Sequence, residues 1–76
     1  MARGRGRMLK VRDLVRILEQ LGFHRARQVG SHAFYTHPDG RATTVSIHPG
    51  EDIGRGLLRK IMRDIELPPE DFLKLL

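Results

Sequence analysis

The sequence predicts an α+β fold in the order α-β-β-β-α, a three-stranded antiparallel sheet with helices on one face. Two stretches, residues 11–21 and 54–65, return apolar side chains at helical spacing. Between them lie three short runs with strand-like composition, the last containing Thr43, Thr44, Val45 and Ile47. Turn residues separate these runs: Gly30-Ser31, Asp39-Gly40 and Pro49-Gly50.

In the first helix, Val11, Leu14, Val15, Leu18 and Leu21 form one stripe, which Ile17 widens. Gly22 is its natural left-handed stop, and no strong N-cap precedes it. The first strand, residues 23–29, has no cleanly apolar side and reads as a short or edge strand. Its parity sets Phe23, Arg25, Arg27 and Val29 against His24, Ala26 and Gln28. The second strand spans residues 31–37 and the third residues 41–47. Asp39-Gly40 is expected to join them through a two-residue turn with positive φ. Gly30-Ser31 suggests a bulge or close backbone approach where the second strand begins. Parity places His32 beside Phe34 and Thr36, and Phe34 is expected to face the core.

The second helix buries Ile53, Leu57, Leu58, Ile61, Met62 and Ile65. Arg55, Arg59 and Arg63 recur every fourth residue along another side, where like charges repel. Leu67-Pro68-Pro69 interrupts the chain, and a last helical turn adds Phe72, Leu73, Leu75 and Leu76 as apolar cover. Residues 1–8, with alternating Arg and Gly, read as a flexible basic arm. Residues 9–76 read as one domain.

At 76 residues there is room for a single small core. A hydrophobic content of 39% with clear periodicity excludes a disordered chain. The absence of Cys excludes disulfides and thiolate metal sites and fits a cytoplasmic location. No apolar run is long enough for a membrane span. Fourteen Lys and Arg against nine acids give a net charge of +5, which favours a polyanion as partner. Most of these cations are Arg, whose planar fork matches phosphate oxygens in pairs.

Four histidines without Cys or an H-E-x-x-H pattern do not make a zinc motif, so no metal and no cofactor are expected. Histidine does suit RNA chemistry. RNA supplies its own nucleophile, the 2′-hydroxyl, and its own electrophile, the adjacent phosphate. An imidazole that moves a proton, with a cation to hold developing charge, can then do much of the work. His32, after Gly30-Ser31 at the start of a strand, is the candidate. His48, ending the third strand, is a possible second acid or base. His37 reads as a solvent-facing neighbour of a turn, and His24 as an ordinary surface or packing residue.

From about Leu14 to Leu76 the chain resembles the HicA (YcfA-like) family of small toxins. The resemblance is carried by Leu21-Gly22-Phe23, Gly30-Ser31-His32, His37-Pro38-Asp39-Gly40-Arg41, Val45-x-x-His48-Pro49-Gly50 and Gly56-Leu57-Leu58-Arg59-x-Ile61. Two features depart from the pattern: Ser46 stands where the family usually has Pro, and the Arg-Gly arm is extra. The resemblance implies a fold like a double-stranded RNA-binding domain and a metal-independent mRNA interferase activity. It also implies inhibition by a HicB-type antitoxin and a catalytic role for the His after Gly-Ser, here His32.

The expected function is therefore that of a toxin that cuts mRNA. Arg25, Arg27, Ser31, Arg41, Arg55, Arg59 and Lys60 are the expected RNA contacts. The alternative is a non-catalytic RNA-binding module of the same fold.

Overall fold

Helix α1 (Val11–Gln20) forms where Val11, Leu14, Ile17 and Leu18 return to one side, and all four are buried. Lys10 gives its start no side-chain cap, whereas its end is tightly specified. Gly22 adopts φ +97°. Its N–H donates to the Glu19 carbonyl at 3.0 Å, and the Phe23 N–H donates to Leu18 at 2.9 Å. This is a Schellman closure, and Phe23 joins Leu18 in the core beneath it.

The computed structural model describes residues 9–47 and 52–76, with Asp52 described by its backbone alone. The Arg-Gly arm lies outside the described residues. After α1 come β2 (His24–Val29), β3 (His32–Thr36) and β4 (Ala42–Ser46), an antiparallel meander in that order. Helix α2 (Arg55–Asp64) and the short α3 (Pro69–Leu73) follow, with Ile61, Ile65 and Phe72 buried. Two brief strands, β1 (Leu9–Lys10) and β5 (Asp52–Ile53), pair antiparallel just ahead of the two long helices. The sequence reading did not anticipate this ladder. It joins the two segments that lead into α1 and α2.

Register gives the sheet two distinct sides. The rows Gln28–Ala33–Val45 and Arg25–Tyr35–Thr43 face the helices. Of these, Ala33, Tyr35, Thr43 and Val45 are buried. The rows Val29–His32–Ser46, Arg27–Phe34–Thr44 and His24–Thr36–Ala42 face away from the helices.

Three expectations need correction. Phe34 does not face the core; Tyr35 does, because Ala33 and Val45 fix the opposite parity. The bulge is not at Gly30-Ser31 but at Ala26, where the β2–β3 register shifts between Arg25 and Arg27. The expected single side shared by Arg25, Arg27 and Val29 is thereby split. Gly30 and Ser31 instead form the two-residue turn between Val29 and His32, with Gly30 at φ +59°.

The β3–β4 connection is longer than the expected two residues. The His37 N–H donates to Arg41 and the Gly40 N–H to His37, each at 2.9 Å. Pro38-Asp39-Gly40 forms the loop, and only Gly40, at φ +99°, takes a positive φ there. A two-residue turn would require Pro38 to donate an N–H to Arg41, and Pro38 has none.

No helix among the described residues is long and apolar enough to cross a membrane.

Candidate functional site

The outward side of the sheet brings together nine residues, and none of them is a carboxylate. His32 is exposed there, one position beyond the tight turn at Gly30-Ser31. Its cross-strand neighbour is Ser46, whose Oγ lies 3.4 Å from His32 Nδ1. If Nδ1–H donates to Ser46 Oγ, Nε2 is left with its lone pair free towards solvent. One row along, Arg27 lies over the Phe34 ring, 5.0 Å from its centroid. In the last row Thr36 Oγ1 and His24 Nε2 are 3.3 Å apart. The side therefore offers two imidazoles, a guanidinium, an aromatic ring and three hydroxyls.

The other residues expected at the site lie apart from it. Arg25 is exposed at the open edge of β2, in a helix-facing row, and donates to Gln28 Oε1 at 2.9 Å. Ser31 lies in the turn, where its carbonyl accepts the Ile47 N–H at 2.6 Å. Arg55 and Arg59 are exposed on α2, in the helical layer. Lys60 shares that helix and donates to Asp64 Oδ2 at 2.8 Å. The same oxygen accepts from the buried Thr43 hydroxyl at 3.0 Å. Burial pushes the Asp64 carboxyl up, but the bonds from Lys60 and Thr43 together bring it below the ordinary carboxylate value.

Arg41 is held at the far end of the β3–β4 hairpin, about 17 Å from His32 at 3.3 Å per strand residue. Its Nη1 donates to the Ile65 carbonyl at the end of α2. Its Nε donates to Asp39 Oδ2 at 2.8 Å, and its guanidinium covers Phe23. The Arg41 backbone N–H bond, with the guanidinium beside it, lowers the Asp39 carboxyl below its ordinary value.

His37 is likewise not the solvent-facing residue expected. It is half-buried, its Nε2 lies 3.0 Å from the Leu21 carbonyl, and its ring meets Phe23 edge-on. With Nε2–H donating, Nδ1 can accept the Asp39 N–H at 3.1 Å.

His48 lies outside the described residues. Among the described residues, no three His, Asp or Glu side chains converge as a metal site. Sequence reading placed Phe34 beside His32 but turned it to the core, and it missed Thr44 as a member of this side. The alternation that links His32 to Phe34 was legible, but two adjacent aromatics, Phe34 and Tyr35, compete for the core.

No curated protein matches the chain. A family model described as the HicA toxin of bacterial toxin–antitoxin systems matches residues 11–67, which include α1, the meander and α2. With well over half its length covered by that match, the chain belongs to the HicA toxin family.

Proposed function

We propose that this toxin is a metal-independent endoribonuclease that cuts mRNA, with His32 as its general acid and base. The observation that carries the reading is an exposed imidazole on a sheet side without carboxylates, one row from Arg27. In the proposed step, His32 Nε2 takes the proton from a ribose 2′-hydroxyl. The 2′-oxygen attacks the adjacent phosphorus and the bond to the 5′-oxygen breaks. The leaving oxygen receives a proton, and a 2′,3′-cyclic phosphate and a 5′-hydroxyl end remain. RNA supplies nucleophile and electrophile, so the scheme needs no metal. Arg27 is placed to offset charge on the phosphorane. Arg25, Arg55 and Arg59 would hold flanking phosphates from the edge and the helical layer. Ser31, in the turn before His32, is proposed to meet the RNA beside the scissile phosphate. Lys60 is a weaker candidate because Asp64 already engages it. Arg41, remote and occupied, is left with a structural role. His48, two residues past Ser46 in sequence, is the proposed second proton carrier.

A HicB-type antitoxin is proposed to silence the chain by covering the same side, and acidic groups on it would speed association.

The test is incubation of labelled RNA with the purified chain and a chelator, with and without antitoxin. Shorter products are expected, suppressed by antitoxin, with a cyclic phosphate end. His32→Ala should cut roughly 10²–10⁴-fold more slowly while still binding RNA. Undiminished cutting by that variant would remove His32 from the mechanism. Binding without cutting by the unaltered chain would favour the non-catalytic RNA-binding reading.

A further inference from the structure

We infer that Phe34, with the Arg27 guanidinium over it, is a seat for one unpaired nucleobase, so that the RNA crossing this sheet is single-stranded. The inference rests on the proposed nuclease reading and adds the form of the substrate and the group that positions it.

Four observations support it. Phe23 and Phe72 are each 2% exposed, whereas Phe34 alone among the three phenylalanines stands on the side away from the helices. Arg27 reaches that side only because of the bulge at Ala26; regular alternation would pair it with the helix-facing row of Arg25. The guanidinium carbon then lies over the ring, 5.0 Å from its centroid, so a cation and an aromatic ring share one place on this side. Finally, Phe34 is two residues from His32 on the same strand side, a separation of about 6.6 Å at 3.3 Å per residue. A base resting on this pair would bring a neighbouring ribose and phosphate towards the imidazole.

The chemistry selects unpaired RNA. Bases inside a duplex are already stacked and cannot lie on an aromatic ring or a guanidinium plane. Bases in a single strand can, and the contact tolerates sequence because every base has a π-face. Duplex binding needs phosphate and 2′-hydroxyl contacts, and Phe34 supplies neither.

The test measures binding in full-length His32→Ala chain, which keeps the RNA intact. The probes are an unstructured adenine-rich 12-mer, the same strand in a duplex, and the strand with one abasic position. The single strand should bind more tightly than the duplex. Phe34→Leu, which keeps apolar bulk, should weaken single-strand binding within the roughly 5–150-fold span that removal of a base–aromatic stack costs. Phe34→Trp should restore it, and duplex binding should not respond. The abasic strand should lose affinity for the parent and little more for Phe34→Leu.

Arg27→Ala, at an exposed position, provides a second route if Phe34→Leu melts early. It should weaken single-strand binding and reduce its salt dependence by about one phosphate contact, whereas Phe34→Leu should leave that slope unchanged. Single-strand binding by both variants within twofold of the parent would overturn the inference, as would equal sensitivity of the duplex. Cutting by the unaltered chain is scored separately. Cutting without dependence on Phe34 removes the base seat and leaves the nuclease; Phe34-dependent binding without cutting does the reverse.

Discussion

At the tip of the β3–β4 hairpin a single arginine serves three neighbours. Arg41 donates to the carbonyl of Ile65, which caps α2, pairs with Asp39 and covers the Phe23 ring. The five donors of a guanidinium allow this, and the single ammonium of lysine does not. Arg41→Ala should therefore destabilise the chain by about 1–3 kcal/mol, because the Ile65 carbonyl and the ring lose their partner together. Arg41→Lys should recover only part of that. Urea unfolding of the three proteins gives the numbers, and RNA affinity of the folded variants should stay close to that of the parent. A selective loss of RNA affinity would instead return Arg41 to the binding surface. The sequence could show that Arg41 follows a turn. It could not show that its partner lies 24 residues away.

Elements differ in how openly the sequence displays them. Both long helices are legible because each buries a stripe of the right period, Leu14 and Leu18 in α1, and Ile61 in α2 with Ile65 at its cap. The β1–β5 ladder is not legible, since two residues per strand are too few to show a period. The bulge at Ala26 is equally silent, because neither Gly nor Pro marks it; the fit of β2 to β3 decides it.

Helix α2 carries one local conflict. It closes as α1 does, with Glu66 N–H donating to Arg63 at 3.2 Å and Leu67 N–H to Met62 at 3.0 Å. Yet the left-handed position, φ +59°, holds Glu66 rather than Gly. Glu66→Gly should stabilise the chain by about 1 kcal/mol by relieving the Cβ contact. In a chain of this size that raises the melting temperature by roughly 4–8 °C. A melting temperature that is unchanged or lower would show that the Glu66 side chain compensates for its own strain.

For the molecule as a whole, acid is the vulnerable direction. Asp39, at the hairpin tip, and Asp64, between α2 and β4, both titrate below their ordinary value when folded. A carboxyl depressed by folding contributes stability above its unfolded pKa. It loses that contribution as pH falls through the folded value. Stability should thus hold near neutrality and decline from about pH 4 downward, where unfolded Asp begins to bind protons and the folded chain does not. Asp64→Asn should flatten the decline in a series of urea midpoints from pH 7 to pH 2.5. An identical slope in the variant would show that Asp64 does not contribute to it. Both groups act at the hairpin-tip end of the β3–β4 unit, Asp39 by holding Arg41, which bonds Ile65, and Asp64 by accepting from Thr43. Their joint protonation should therefore loosen the sheet on which His32 stands, and activity should fall with stability.

Gly22 closes α1 with a backbone twist that side chains resist, and a Cβ there would lie 2.9 Å from the Nε2 of His37. Two independent prohibitions thus fall on one solvent-facing position. Even alanine would have to strain the helix terminus and displace an imidazole in the same stroke. In a saturation library this outward-lying glycine should tolerate change as poorly as any leucine sealed inside.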